Sequence, residues 1–277
     1  MSTTSDGRSP AAHHALATPH SPWLRAARAV VAGLQRGLYR SVLSSRVEGA
    51  AHVPPAGGFL VAANHTSHLD AGLIQLALGA RGPEMRALAA QDYFFRTPWL
   101  RWYFQNLTNV LPFERNGGFR HSLKLASQVV EAGWPLLVFP EGTRSRDGRM
   151  APFKPALSSL ALAARSPILP AYVWGTHQAL PKGARSLRSR RIGVRVGPAL
   201  GPAWLERLTA GLSRHEAYAL ATQAVTLAIE GLREGRPETE ASLSARLERE
   251  RPAPPVPRSR AGLRQPRRGD SAMAGIA

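Results

Sequence analysis

Two histidines and an aspartate lie close together in the stretch ANHTSHLDAGLIQLAL, residues 63–78. His65 and Asp70 have the spacing H-x4-D at a point where an apolar strand pattern gives way to an apolar helix pattern. A histidine in such a turn can act as a general base near neutral pH, and a nearby carboxylate can orient its ring and stabilise the imidazolium. These are two members of a catalytic triad, with the third place left for a substrate hydroxyl. The pair therefore predicts acid–base chemistry at this turn.

Two other interpretations of the same turn stay open at the level of its residues. Ser67 and Asp70 form an S-x-x-D pattern that could simply cap a helix beginning at His68. His65, His68 and Asp70 are also of types that bind metal ions, and His121 and His177 could complete a coordination shell. Because no HExxH or histidine-rich partner motif follows, we expect no metal site.

Two further polar clusters follow apolar runs. In VFPEGTRSRDG, residues 138–148, Gly142 permits a tight turn and close backbone approach, and Arg144 offers a forked donor suited to phosphate. In NVLPFERNGG, residues 109–118, Arg115 stands in a similar setting before a glycine pair. Each loop alone is common, and a solvent-exposed arginine would explain it. Three such clusters after three predicted strands favour a shared site.

Alternating strand and helix patterns indicate the elements that would position these clusters. The runs that predict strands are GFLVAA, MRALAA, WPLLVF, SPILPAYVW and RIGVRV, which begin at residues 58, 85, 134, 166 and 191. The stretches that predict helices are 68–80, 117–132, 155–165 and 203–233. This alternation predicts an α/β fold, a largely parallel sheet flanked by helices. Ligand sites in such sheets lie at the carboxyl ends of the strands, where the polar clusters begin.

The chain divides into four parts by composition. Residues 1–22 are predicted to be a disordered leader, 23–46 an amphipathic helix, 47–233 the main domain, and 234–277 a disordered basic tail rich in proline and arginine. On the helix, six apolar residues project to one side and four arginines to the other: Leu24, Ala27, Val31, Leu34, Leu38 and Val42 against Arg25, Arg28, Arg36 and Arg40. The pattern fits an element in a membrane interface and equally a helix packed on the domain with solvated arginines.

Composition excludes several classes of function. The 277-residue chain has no cysteine, which rules out disulfides, thiolate metal sites and a cysteine nucleophile. It also lacks G-x-S-x-G, Walker A and G-x-G-x-x-G motifs, and no run of about 18 apolar residues predicts a membrane span. The formal net charge of +18 favours a polyanionic partner: nucleic acid, anionic lipid or a phosphorylated substrate.

The three clusters, taken in order, resemble the glycerolipid acyltransferases typified by 1-acylglycerol-3-phosphate O-acyltransferase. The first block of that family, N-H-x4-D, is matched by residues 64–70, and the second, G-x-x-[FP]-x-x-R, by Pro112 and Arg115. The third block, F-P-E-G-T-R-S, is matched in full from Phe139 to Ser145. The fourth, an apolar run into a proline, is matched by SPILPAYVWGTHQALPKG, and the resemblance covers about residues 46–200. Two positions depart from it, because Asn109 and Ala156 stand where the family usually has glycine.

The resemblance implies an O-acyltransferase of phospholipid biosynthesis. An acyl thioester, acyl-CoA or acyl carrier protein, would be a co-substrate, no further cofactor is needed, and 1-acylglycerol 3-phosphate is the expected lysophospholipid acceptor. His65 and Asp70 would be catalytic. The implied substrate-binding residues are Arg115, Glu141, Gly142, Thr143 and Arg144.

The resemblance also implies a peripheral position at the cytoplasmic face of an anionic membrane. The basic helix 23–46 and the aromatic run DYFFRTPWLRWYFQN, residues 92–106, fit such a position, although core packing would explain some of the aromatic residues. The rival functions are an acyltransferase for a different lysolipid, an inactive lipid-binding scaffold, and a nucleic-acid-binding protein that uses the tail and PKGARSLRSRR, residues 181–191. Nucleic-acid binding does not require the H-x4-D and PEGTR clusters, so we expect no nucleic-acid partner.

Overall fold

Seven strands form one sheet in the computed structural model, which describes residues 21–90, 97, 102, 109–113, 119–184 and 186–250. The strands are β1 (Arg46–Glu48), β2 (Phe59–Ala63), β3 (Arg86–Ala90), β4 (Val110–Phe113), β5 (Pro135–Val138), β6 (Ile168–Trp174) and β7 (Gly193–Val196). Their order is β1-β7-β6-β2-β5-β3-β4. All neighbours pair in parallel except β6 and β7. The predicted α/β fold with a largely parallel sheet is confirmed.

The helices pack on both faces of this sheet. They are α1 (Pro22–Gly37, continued by a π-helical turn Leu38–Val42), α2 (Asp70–Ala77), α3 (Phe119–Glu131), α4 (Ala156–Ala163), α5 (Thr176–Ala179), α6 (Pro202–Leu208), α7 (Arg214–Arg233) and α8 (Glu240–Glu250). Short 3₁₀ turns cover Ala50–His52 and Gly79–Glu84.

The central strand β2 shows why two cores form. It is buried along its whole length, and successive strand side chains point to opposite faces of a sheet. Leu60 and Ala62 join the cluster beneath α3, α4, α6, α7 and α8. Phe59, Val61 and Ala63 join the cluster beneath α2 and the end of α1. Because neither face of β2 meets solvent, the centre of the sheet requires a strand with a continuous apolar run.

The predicted helical stretch 203–233 is wrong in one respect, because the chain breaks there into α6 and α7. Gly211 has a φ of +74°, which a helix cannot contain and which glycine adopts without strain. Ser213 then caps α7: its hydroxyl accepts from the N–H of Glu216, and the carboxylate of Glu216 accepts from the N–H of Ser213.

The predicted disordered tail, residues 234–277, is also wrong in part. Helix α8 lies within it, with Leu243 and Leu247 buried against the core and the indole N–H of Trp204 donating to Ser244 Oγ at 3.0 Å. The N–H of Gly201 donates to Glu240 Oε1 at 2.7 Å. Only two apolar residues of this helix are buried against the core. That is too few for the pattern of this charged segment to predict a helix. Residues 1–20 and 251–277 lie outside the described residues.

Helix α1 presents two different faces. Leu24, Val31 and Leu38, which belong to the predicted apolar side, are partly buried. Trp23, Val30 and Leu34, about one or two turns apart, are 58%, 61% and 71% exposed. The predicted amphipathic helix is therefore present, and packing occupies only part of its apolar surface.

The predicted solvated arginine side of α1 needs a correction at Arg28. Its guanidinium is partly buried and donates from Nη1 to Asn109 Oδ1 at 3.3 Å, and burial lowers its pKa. Asn109 Nδ2 in turn donates to the carbonyl of Pro83 at 2.6 Å. A glycine at position 109 could make neither side-chain bond, so Asn109 ties α1 to the edge of the sheet.

None of the helices that the structure describes is both long enough and apolar enough to cross a bilayer.

Candidate active site

The loop that follows β2 is fixed at its first residue. Asn64 Nδ2 donates to the carbonyl of Val173 at 2.9 Å, and the N–H of Val173 donates to Asn64 Oδ1 at 2.7 Å. Val173 belongs to β6, which pairs with β2 in parallel. This paired bond joins the carboxyl ends of two neighbouring strands, where ligand sites form in sheets of this type.

Asp70 is the first residue of α2, and its side chain is completely buried. Its Oδ2 accepts from the backbone N–H of Thr66 at 2.7 Å and of Ser67 at 2.9 Å, and lies 2.9 Å from His65 Nδ1. Its Oδ1 accepts from the hydroxyl of Thr176 at 2.6 Å. A buried carboxylate is stable only when its oxygens are satisfied in this way. The predicted helix cap is wrong, because the helix begins at Asp70 rather than at His68 and no side chain caps it. The carboxylate instead fixes the turn before the helix through two backbone N–H groups and faces His65.

His65 is held on two sides. Its Nδ1 faces Asp70, and its ring stacks on Phe139 with centroids 3.8 Å apart and planes 10° from parallel. The side chain is 19% exposed, and its Nε2 makes no hydrogen bond within the described part of the chain. With Nδ1–H donating to the carboxylate, Nε2 is the basic nitrogen, open to a substrate proton. The structure thus brings together the two residues predicted to be catalytic.

Glu141 has a different environment from the substrate-binding one predicted. It is 3% exposed; Oε1 accepts from the N–H of His65 at 2.7 Å and Oε2 from the N–H of Ala151 at 2.8 Å. Burial raises the pKa of this carboxyl. Both oxygens face inward, so Glu141 braces the loop that carries His65. The N–H of Ser145 completes the brace by donating to the carbonyl of His65 at 2.8 Å.

Residues 142–144, from the cluster that follows β5, lie at the surface beside the loop that carries His65. Gly142 and Thr143 are exposed and Arg144 is partly buried. Gly142 has a φ of +76°, so the predicted tight turn is present. Arg115 lies outside the described residues.

His68 shares the positive environment of this loop. His68 is exposed, yet partial loss of solvent around its ring, the charge of Arg144 and the neighbouring His65 lower its pKa from 6.5 to about 4, with only Asp70 acting in the opposite direction. His68 is therefore neutral at pH 7. Among the side chains that the structure describes, no group of three or more histidines, aspartates or glutamates is placed to hold a metal ion.

Thr176 is the residue that the sequence did not indicate. It is fully buried at the start of α5, 106 positions after Asp70, and its hydroxyl also lies 2.9 Å from Thr66 Oγ1. Its only signal is a polar residue after the strand β6. That signal gains meaning only once β6 is known to lie beside β2.

The comparison with known families agrees with this geometry. Residues 44–174 match the family model described as Acyltransferase. Over this part, just under half of its length, the chain is similar to that family. The matched segment begins just before β1 and ends with β6, so it contains the loops that carry His65 and Glu141.

Relatives and a solved structure resemble the chain over different lengths. A 1-acyl-sn-glycerol-3-phosphate acyltransferase of Limnanthes douglasii is 46% identical over 78 residues, 28% of each chain. The alpha enzyme of the same name from Bos taurus is 29% identical over 154 residues, 55% of this chain and 52% of that protein. The crystal structure of the LPA acyltransferase PlsC from Thermotoga maritima superposes with a TM-score of 0.59 at 24% identity, over 82% of this chain and 88% of that one. The chain thus matches 28% to 52% of these two relatives' length, and the solved structure shares its fold.

Proposed function

We propose that this protein transfers a fatty acyl group from an acyl thioester to the free hydroxyl of a lysophospholipid, with 1-acylglycerol 3-phosphate as the acceptor and phosphatidic acid as the product. The observation that carries the proposal is the buried Asp70 carboxylate 2.9 Å from His65 Nδ1, which leaves Nε2 open at the surface of the acyltransferase domain. The names of the relatives support the choice of acceptor.

The proposed reaction uses His65 as a general base. The acceptor hydroxyl attacks the thioester carbonyl while Nε2 takes its proton, a C–O bond forms, and Asp70 stabilises the resulting imidazolium. Collapse of the tetrahedral intermediate breaks the C–S bond, and the same proton passes from Nε2 to the leaving thiolate. No covalent enzyme intermediate is needed, which suits a chain without cysteine.

The proposed substrate groups surround this base. Arg144 and Arg115 would hold the acceptor phosphate, with Gly142 shaping the pocket and Thr143 beside it. The donor would be acyl-CoA or acyl carrier protein, and the reaction as written requires no metal and no further cofactor. Positioning of two bound substrates would supply most of the rate, since general base catalysis contributes about 10²–10⁴-fold.

The proposal places the domain peripherally on the cytoplasmic face of an anionic membrane, where its lipid acceptor resides. The exposed apolar stripe Trp23, Val30 and Leu34 supports contact between α1 and the bilayer interface. Trp102, 46% exposed, stacks on Trp23 with ring centroids 6.1 Å apart and would extend this stripe. The other residues of the aromatic run lie outside the described residues, apart from Thr97.

The decisive experiment is an acyl-transfer assay of the purified protein against a panel of lysolipids with both types of donor. Wild-type protein should acylate 1-acylglycerol 3-phosphate, and His65→Ala should lose at least about 100-fold in turnover while keeping its circular dichroism spectrum. Asp70→Asn should also lose activity, because it favours the wrong imidazole tautomer. Near-normal turnover in folded His65→Ala would overturn the mechanism. Turnover restricted to another lysolipid would overturn the choice of acceptor.

A further inference from the structure

Lysine is rare in this chain, and its placement is uneven. Of the 36 basic residues only three are lysines: Lys124, Lys154 and Lys182. Lys154 and Lys182 both reach the surface loop 142–144 that follows β5, although they come from different parts of the sequence.

Lys154 lies against Gly142. A Cβ atom added at Gly142 would stand 2.8 Å from Lys154 Nζ, so the ammonium occupies the space that a side chain would fill. The backbone holds it there, because the N–H of Lys154 donates to the carbonyl of Pro140 at 2.9 Å. Glycine at position 142 thus serves both the left-handed turn and the approach of the ammonium.

Lys182 reaches the next two residues of the loop. Its Nζ donates to Thr143 Oγ1 at 3.2 Å and lies 3.4 Å from the carbonyl of Arg144. Lys182 follows α5, and the carbonyl of the neighbouring Leu180 accepts from Ser67 Oγ at 2.7 Å. The loops after β2, β5 and β6 therefore meet at this point.

The ammonium groups lack acidic partners. Neither Lys154 nor Lys182 forms an ion pair with a residue that the structure describes. The carboxylate of the nearby Asp147 accepts from Ser145 Oγ at 2.8 Å and from the N–H of Arg149 at 3.0 Å. Adding Arg144 gives three cations around one exposed turn.

We propose that Lys154 and Lys182 form, with Arg144, a binding site for the phosphate groups of a substrate at the loop 142–144. Ammonium groups are mobile point charges with three donors each, and a phosphate offers several acceptor oxygens to them. The ligand is either the headgroup phosphate of the acceptor or the phosphates of a coenzyme A donor. This identification of the ligand rests on the proposed function, whereas anion binding itself does not.

Chemical labelling tests the site without turnover. Because the chain has only three lysines, reductive methylation followed by mass spectrometry can follow each one separately. Coenzyme A or 1-acylglycerol 3-phosphate should protect Lys154 and Lys182, and should leave Lys124, exposed on α3, at its original rate. Uncharged 1-acylglycerol should protect none. Equal labelling of all three lysines with and without both phosphorylated probes would overturn the site.

Kinetics then distinguish the two phosphate sources. The double variant K154A/K182A should raise the apparent KM for one substrate about tenfold or more, because two charge-assisted contacts are lost. A rise confined to the acceptor assigns the site to its headgroup, and a rise confined to acyl-CoA assigns it to the donor. Lys→Arg at both positions should restore most of the affinity, and Lys124→Ala, which removes the same charge elsewhere, should change nothing.

Failure of the two proposals would look different. An inactive wild-type protein whose Lys154 and Lys182 are still protected by coenzyme A would contradict the acyltransferase function alone. An active wild-type protein whose KM values are unchanged in K154A/K182A would contradict the lysine site alone.

Discussion

At the scale of single residues, the site is built around one buried charge. Asp70 receives two backbone N–H groups and the hydroxyl of Thr176, and it presents the same carboxylate to His65. Removing a donor from a buried carboxylate costs more than an ordinary hydrogen bond, because the charge remains without solvent. The position of the imidazole thus depends on residues that never meet the substrate.

Thr176→Val tests how far the position of the His65 ring depends on the hydroxyl of Thr176, since valine keeps the shape of the side chain and removes the hydroxyl. We expect kcat to fall roughly tenfold or more with little change in either KM, because a hydrogen bond to a charged group is worth about 1.5–3 kcal/mol.

The matched control is Thr176→Ser, which retains the hydroxyl and should behave nearly as wild type. A folded Thr176→Val protein with an unchanged kcat would show that Thr176 only fills space.

His68 provides a prediction about stability and pH. Its pKa in the folded protein is about 4, below the ordinary value of 6.5, so between these values the unfolded chain binds more protons than the native one. The contribution of His68 to the free energy of unfolding therefore declines as pH falls from about 6.5 to about 4. His68→Asn removes this titration, so its stability relative to wild type should improve from pH 7.5 to pH 5. Urea unfolding of both proteins at the two pH values measures this, and a constant difference would contradict the shift.

The sequence revealed these residues unequally, for a physical reason. His65 and Asp70 lie five positions apart, so local spacing alone indicates their contact. Thr176 and Lys182 reach the site only through the pairing of β2 with β6, which no local pattern specifies. Glu141 is indicated by its motif, but its hydrogen bonds to the N–H groups of His65 and Ala151 are not, because they depend on how the surrounding loops pack.

At the scale of elements, the sequence predicts helices that have a regular apolar pattern, and it misses α8, which has few apolar residues. Helix α8 has two buried leucines on one side and otherwise exposed or partly buried residues, so its identity depends on docking against α6 and α7. Arg246 assists by lying within 4 Å of carboxylates of Glu230, Glu238 and Glu250. Packing, rather than helix propensity, stabilises this element.

Leu243→Ala tests whether α8 belongs to the folded domain. Leu243 is fully buried in the cluster beneath the helices, so truncation should lower the free energy of unfolding by about 2–5 kcal/mol. Leu187→Ala is the control, because Leu187 is exposed and the same change there should cost little. Thermal unfolding of the three proteins measures the difference. If Leu243→Ala matches the control, α8 is not part of the cooperative unit.

At the scale of the whole molecule, the proposed membrane contact rests on the net charge and on one exposed apolar stripe. The chain carries a formal net charge of +18, and the stripe Trp23, Val30 and Leu34 is exposed on a helix whose other face is packed. The packed end of that helix includes the buried Tyr39, whose hydroxyl donates to the carbonyl of Leu69 at 2.7 Å, directly before Asp70. A helix held in a bilayer interface would therefore be joined by one contact to the loop that carries His65 and Asp70.

Vesicle binding tests this arrangement, and the packing of α1 decides how the test must be made. Deleting the helix would remove Tyr39 and Leu43 from the core, so the variant should be V30E/L34E, which changes only exposed positions. Wild-type protein should bind anionic vesicles less tightly as salt rises, because attraction to the headgroups is screened over about 10 Å at 0.1 M. V30E/L34E should bind the same vesicles weakly at every salt concentration, since apolar insertion is lost as well. Its turnover should fall on vesicle-dispersed acceptor and stay close to wild type on a short-chain soluble acceptor, because His65 and Asp70 are untouched. Removal of residues 251–277 serves as the comparison, and if that deletion abolishes vesicle binding while V30E/L34E retains it, the membrane contact lies at the other end of the chain.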